Sequence, residues 1–216
     1  KFLGTAAQSV TVPSTTPRWT ASHRLRGVCC VSVRLKWSSE VFPQGIPNIS
    51  ALVKGRKVYD PRTATTVYSN NWALCVADYL ADSDLGVGHD FADIDDTALQ
   101  AAANISDENV TLNPSGTEKR YAVNGVILTN AAPGDVLQQL IFSGAGFCGY
   151  IGGSWYIYAG AYRTPTITLD ESNLRGPISL QTKLSRKDSF NRVKGVFTSP
   201  DTDWQPSDFP VVTNAT

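Results

Sequence analysis

The sequence predicts an α+β fold, antiparallel and β-rich, with short helices inserted between the strands. Three observations predict it. Val-rich runs with partial two-residue alternation lie near the N-terminus, at 27–37 and 49–59. The apolar spacing changes to a helical one at 69–81, where Trp72, Cys75, Val76, Tyr79 and Leu80 recur at three and four residues. Further on, two aromatic segments flank Gly152–Gly153, a strong hairpin signal.

The elements follow in order. Residues 1–26 are rich in Thr, Ser and Pro and read as a short strand, 9–13, followed by extended chain. GVCCVSVRLKW (27–37) reads as a strand, FPQGIPN (42–48) as a turn, and ISALVKGRKVY (49–59) as a second strand with Gly55 in it. Asp60–Pro61 closes this region. The helix at 69–81 takes Asn70 or Asn71 as its N-cap. A polar, Gly-broken loop leads to a second helix, capped by Asp95 or Asp96 and running to about Glu108. Its stripe is Ala98, Leu99, Ala102 and Ile105. NPSGTEK (113–119) is a turn and YAVNGVIL (121–128) a strand. Pro133 suits the first turn of a third helix that Gly144 or Gly146 stops. Residues 147–162 form the aromatic hairpin. Thr166–Leu169 is a short strand, 177–187 and 190–198 are two more around a polar turn, and the tail is irregular.

Composition excludes several classes. Lys plus Arg and Asp plus Glu number 19 each, so the net charge is zero. A protein that grips phosphate backbone needs a basic surplus. A 42% apolar share with 18% charged residues is that of a folded chain. No apolar run reaches the ~18 residues of a membrane span. The chain begins at Lys1 and has no Met, which points to a processed protein or a section of a longer one.

Few residues invite chemistry. Cys29, Cys30, Cys75 and Cys148 sit in apolar surroundings and read as buried thiols. His23 and His89 have no zinc spacing. Asp82, Asp84, Asp90, Asp93, Asp95 and Asp96 could pair for glycoside hydrolysis, but read better as a solvated loop with a helix cap. Ser154 lies in a hairpin without the second Gly of a nucleophile elbow. Lys183, Arg186, Lys187, Arg192 and Lys194 mark an exposed sheet face or subunit contact. In the hairpin, Tyr156, Tyr158 and Tyr162 share one parity, and Trp155 and Ile157 the other. Their main reading is packing; the alternative is a carbohydrate-binding module on residues 155–162. These residues mark no catalytic, cofactor-binding or metal site.

The run KGRKVYDPR (54–62), followed by YSNNWALCVADYL (68–80), resembles the central tail-hub family of long-tailed phages. IDDTALQAAANISDENV resembles that family's second helix, and RYAVNGVI its next strand. PGDVLQQLIFSGAGFCGYIGGSWYIYAG resembles its helix-hairpin unit, and SRKDSFNRVKGVFTSPDTDWQPSDFPVV its closing strand pair. The likeness runs in one order over roughly residues 27–212. It implies an internal section of a trimeric hub at the distal end of the phage tail. Such a hub closes the tail tube, binds other tail tip and tube proteins, and takes part in host attachment. Genomic DNA passes through without specific binding, and the receptor is met by regions outside this section. The resemblance implies no catalytic residues, no metal and no cofactor. On this basis the chain divides into a β-rich segment (1–62), a helical insert (63–118), an α+β domain (119–200) and an irregular linker (201–216).

Overall fold

The computed structural model describes residues 1–9, 19–20, 22–36, 38–112, 115–183, 185, 187 and 189–213. It has the expected α+β character. The described residues form three α-helices and twelve short strands, every strand pair antiparallel. In chain order these are β1 (Phe2–Leu3), β2 (Cys29–Cys30), β3 (Lys57–Asp60), β4 (Thr65–Tyr68), α1 (Trp72–Ala81), α2 (Asp96–Ser106), β5 (Asn109–Thr111) and β6 (Thr117–Lys119). Then come α3 (Pro133–Ser143), β7 (Phe147–Ile151), β8 (Ser154–Tyr158), β9 (Arg192–Val193), β10 (Val196–Thr198), β11 (Pro206–Asp208) and β12 (Val212–Thr213). The chain falls into two units, Lys1–Gly160 and Ala161–Thr216.

The first unit is built around α1. Asn71 caps it: the side-chain oxygen accepts from the Leu74 N–H at 3.4 Å, and the amide donates to the Ala103 carbonyl of α2 at 2.9 Å. One buried side chain thus starts α1 and ties it to α2. Both flanks of the helix are apolar, so it lies inside the unit, against α2, α3, β3 and β8. Trp72, Leu74, Val76, Leu80, Leu99 and Ile157 form its sealed centre. Asp95 caps α2, accepting from Ala98 at 2.7 Å. Pro133 opens α3, and Gly144 stands at its C-terminal cap.

Trp72 fixes how the rest approaches. It is fully buried, and its indole N–H donates to the Leu140 carbonyl at 2.5 Å. Gly144 and Gly146 lie against the indole so closely that a Cβ on either would overlap the ring. The α3–β7 corner can therefore seat on Trp72 only because those two positions lack side chains. Residues 121–123 run beside residues 70–72, with Val123 N–H bonded to the Asn70 carbonyl at 2.8 Å.

The aromatic hairpin forms with Gly152 and Gly153 at its turn, both at positive φ (63° and 96°). It ends at Tyr158, short of Tyr162. Several expected strands are corrected. The 27–37 segment pairs only at Cys29–Cys30, against Phe2–Leu3, and 49–56 carries no ladder at all. Ladder pairing starts at Lys57, and β3 turns at Pro61 and Arg62 into β4, a strand the sequence reading missed. Residues 121–128 contribute one isolated bridge, at Ala122. The 113–119 turn is the end of a hairpin, β5–β6. The strand expected at 9–13 lies outside the described residues apart from Ser9.

In the second unit, no ladder joins 177–187 to 190–198 among the described residues, and Thr166–Leu169 is unpaired. The tail replaces them. β9 pairs with β12 and β10 with β11, so the segment expected to be irregular supplies both partner strands. Phe209 packs on Gly195 and donates its N–H to the Gly195 carbonyl at 3.1 Å. Pro206 fits because it sits on a two-stranded ribbon, where one side of each strand is free of the ladder.

Near the N-terminus, buried Gln8 acts as a staple. Its oxygen accepts from Gly4 N–H at 2.6 Å, and its amide donates to the carbonyls of Leu25 (2.9 Å) and Val28 (3.1 Å). The staple ends at Val28; between Cys30 and Lys54 the described residues are mostly exposed.

Gly146→Ala should cost about 1–3 kcal/mol or more through overpacking on Trp72. Gly125→Ala, where an added Cβ meets no atom within 4 Å, should stay within about 0.5 kcal/mol. Chemical denaturation of the two variants checks the contrast.

Candidate functional site

The acidic loop contributes framework. Asp82 accepts from the backbone N–H groups of Asp84 (3.0 Å) and Leu85 (3.4 Å) and pairs with Arg56. Asp90 caps the turn at Phe91–Asp93, and Asp95 caps α2. Asp96 accepts from Gln100 at 2.6 Å. These carboxylates point to different partners, as caps do, and form no facing pair. Among the described residues no group of three His, Cys, Asp or Glu side chains could hold a metal ion.

Ser154 is the first residue of β8, beside the tight turn. The two histidines serve local packing. His23 takes a hydrogen bond from the Thr20 N–H at 3.0 Å and lies by Trp19, with ring centroids 5.1 Å apart. His89 meets Trp155 edge-on at 5.0 Å and stacks with Tyr150 at 6.3 Å.

The hairpin has two distinct faces, and the parity read from the sequence separates them correctly. Cys148 and Ile157 face each other on the core side; Trp155 packs there too, while Tyr150, its partner across the ladder, is 56% exposed. Trp155 packs against the core, and its carbonyl accepts from the Asp95 N–H at 2.9 Å. The opposite face carries Tyr158 stacked between Phe147, at 6.5 Å, and Tyr156, at 6.2 Å, with Phe147 and Ile151 exposed. Tyr162 lies beyond the hairpin and is 87% exposed. In the second unit Lys183, Lys187, Arg192 and Lys194 are exposed, and only Arg192 lies on a strand; Arg186 lies outside the described residues.

The motif at 54–62 proves to be a set of clamps. Arg56 reaches α1, meeting Asp78 at 2.6 Å as well as Asp82. Lys54 lies over the Tyr68 ring at 5.6 Å. Arg62 grips Asp60 through two nitrogens (2.9 and 2.8 Å), then reaches Asp107 at 2.9 Å and Asn104 at 3.0 Å. It thereby binds the β3–β4 turn to the end of α2. Sequence reasoning missed these clamps. The tight DPR turn was the available signal, since it aims the Arg62 side chain back across its own hairpin.

The charges respond to these contacts. Hydrogen bonding from Arg62 holds the Asp60 carboxyl below its usual range, and the same pair raises Arg62. Burial pushes Asp78 up despite Arg56 beside it, whereas the backbone donors of Asp84 and Leu85 hold Asp82 down. Burial also raises the Cys75 and Cys148 thiols to about 11. All four cysteines are free, and Cys29 is exposed. The expectation of four buried thiols therefore fails at Cys29, which is exposed on a two-residue strand, and holds only in part at Cys30, Cys75 and Cys148, which are half-buried.

Large apolar side chains are exposed in several stretches of the chain, residues 28–53 among them. Val28, Val31, Val33 and Leu35 are exposed there, as are Ile46, Ile49, Leu52 and Val53.

No protein-family model matches this chain, and no curated protein matches it.

Two predictions follow from the ionisable groups. Asp60 is depressed in the fold, so its ionised form stabilises fully above the unfolded carboxyl value of about 3.9. That contribution is lost as pH falls through the lower folded value. Asp60→Asn should cost about 1–2 kcal/mol at pH 7, and the difference from the parent should shrink below pH 4. Denaturation midpoints between pH 2 and pH 7 measure this. Separately, an alkylating thiol reagent at pH 8 should label Cys29 in the native protein and reach Cys75 and Cys148 only on unfolding. Peptide mapping of the labelled protein distinguishes them.

Proposed function

We propose that this chain is a structural subunit of a phage tail tip, part of a trimeric central hub that closes the distal end of the tail tube. It organises neighbouring tip proteins and takes part in host attachment and DNA ejection. It acts as a scaffold, without a catalytic centre, a metal or a cofactor. DNA passes it without specific binding.

The observation that carries this reading is the apolar chain at 28–53, uncovered beside a closed core. Exposed apolar surface on this scale is characteristic of a subunit whose burial is completed by other chains. The tail-hub assignment itself rests on the ordered motifs at 54–62, 68–80 and 133–160. Their residues supply clamps, a helix cap and glycine seats for Trp72, the work expected of a rigid scaffold section. The stacked outer face of the hairpin favours a second reading, a carbohydrate-binding module. In that case Tyr156→Ala would abolish glycan binding without unfolding the protein.

Antibodies raised against the chain test the main reading on virions of the parent phage. Gold label at one tail end, the one distal to the capsid, is the expected result. Absence of the chain from purified virions by mass spectrometry would overturn it.

A further inference from the structure

Residues 120–123 are fastened to the core of the first unit. The Arg120 N–H donates to the Glu108 carbonyl at 2.8 Å, the Tyr121 N–H to the Ser106 carbonyl at 3.2 Å, and the Val123 N–H to the Asn70 carbonyl at 2.8 Å. The fastening stops there. Among the described residues, Asn124 and Gly125 take part in no hydrogen bond, and both are exposed. The next backbone bond along the chain runs from the Ala131 N–H to the Leu128 carbonyl.

Asn124–Gly125 is the sole Asn–Gly pair in the sequence. An asparagine side chain is open to attack at Cγ by the backbone nitrogen of the next residue, which closes a five-membered ring. That attack needs a backbone free to turn and a following residue whose side chain does not block the approach. Glycine meets both needs, because it lacks a Cβ and has the widest backbone freedom. The surroundings add no obstacle: a Cβ built on Gly125 would meet no atom within 4 Å.

Other asparagines lack one condition or another. Asn71 is buried and bonded to Ala103, and Asn104 lies inside α2. The nitrogens after Asn130 and Asn173 are already engaged, Ala131 with the Leu128 carbonyl and Leu174 with the Glu171 carbonyl. Asn48 is exposed, but β-branched Ile49 follows it and crowds the nitrogen.

We propose that Asn124–Gly125 is a self-modifying site, at which the chain converts Asn124 into aspartate and isoaspartate. In the first step the Gly125 nitrogen bonds to Cγ of Asn124. The side-chain amide leaves as ammonia, carrying away the proton that the Gly125 nitrogen loses. Water then opens the cyclic imide at one of its two carbonyls. Opening at one gives aspartate; opening at the other routes the main chain through Cγ and lengthens it by one carbon. Either product is a carboxylate at neutral pH, so each event lowers the net charge of zero by one. The new charge stands next to Val126, Ile127 and Leu128, all exposed. An apolar surface run thus gains an acidic edge as the chain ages. The site depends on no partner and is independent of the tail-tip reading.

Incubation of the full chain at pH 8.5, followed by proteolysis and fragmentation mass spectrometry, tests it. Asn124 should gain about 1 Da, at least about tenfold faster than Asn48 or Asn130. Fragmentation that breaks the main chain beside the residue should show both aspartate and isoaspartate. Gly125→Ala, which overlaps nothing, should slow the gain at least about tenfold. The native chain should convert within about threefold of its rate in denaturant, because the fold leaves the pair free. A slower native rate, conversion of Asn48 or Asn130 at a similar rate, or a Gly125→Ala chain that converts like the parent would overturn the proposal.

Discussion

The helices and the aromatic hairpin of the first unit are arranged about one buried indole. Trp72 cannot be surrounded by arbitrary chain, because its N–H needs an acceptor and its ring needs flat neighbours. The Leu140 carbonyl supplies the acceptor, and Gly144 and Gly146 supply the flat surface. Both come from the α3–β7 corner, which fixes where β7 and β8 can start. The hairpin then places Ile157 into the centre and Trp155 beside Asp95, at the start of α2. Asn71, the residue before the tryptophan, closes the circuit by binding the Ala103 carbonyl. A three-residue stretch, Asn71 to Ala73, thus touches every helix of the unit. Buried polar groups of this kind tolerate little, since each lost partner leaves a desolvated donor.

Around this core, electrostatics works at two scales. Locally, Arg56 ties the chain before β3 to α1 and Arg62 ties the β3–β4 turn to α2, and partial burial strengthens the Arg62–Asp60 pair relative to a surface one. Over longer spans, basic residues lead and acidic residues follow in the sequence, and Arg56 joins the two blocks by ion pairs with Asp78 and Asp82. A sum of zero therefore describes neither half. The zero total still lacks the overall surplus that a phosphate-gripping protein carries, yet it conceals this division. The basic block also alternates in polarity at 29–36, and a strand with one greasy face is stable only when that face is covered.

What could be read from the sequence follows from the range of the interactions involved. Helices α1, α2 and α3 were legible because cap, period and stop lie within about a dozen residues of each other, as Asn71, Asp95 and Pro133 show. The β7–β8 hairpin was legible because Gly152–Gly153 fixes its register locally, and parity then sorted Ile157 and Trp155 from Tyr156 and Tyr158. Strands were not legible in the same way. Alternation at 29–36 and 49–56 says that one face is apolar, but not which chain covers it. The tail strands β11 and β12 escaped notice because they are short, polar and Pro-containing. Arg62 joins residues 45 positions apart in reaching Asp107, a distance over which a single sequence carries no pairing signal.

The central claim is that a closed core around Trp72 coexists with an apolar segment, 31–53, that the described residues leave exposed. Amide hydrogen exchange of the dilute protein, resolved residue by residue, tests it most directly. Amides of α1, α2 and the β7–β8 hairpin should exchange slowly and together, while residues 31–53 exchange at the rate of unstructured peptide. Slow exchange across 31–53 in the dilute chain, or fast exchange within α1, would contradict it.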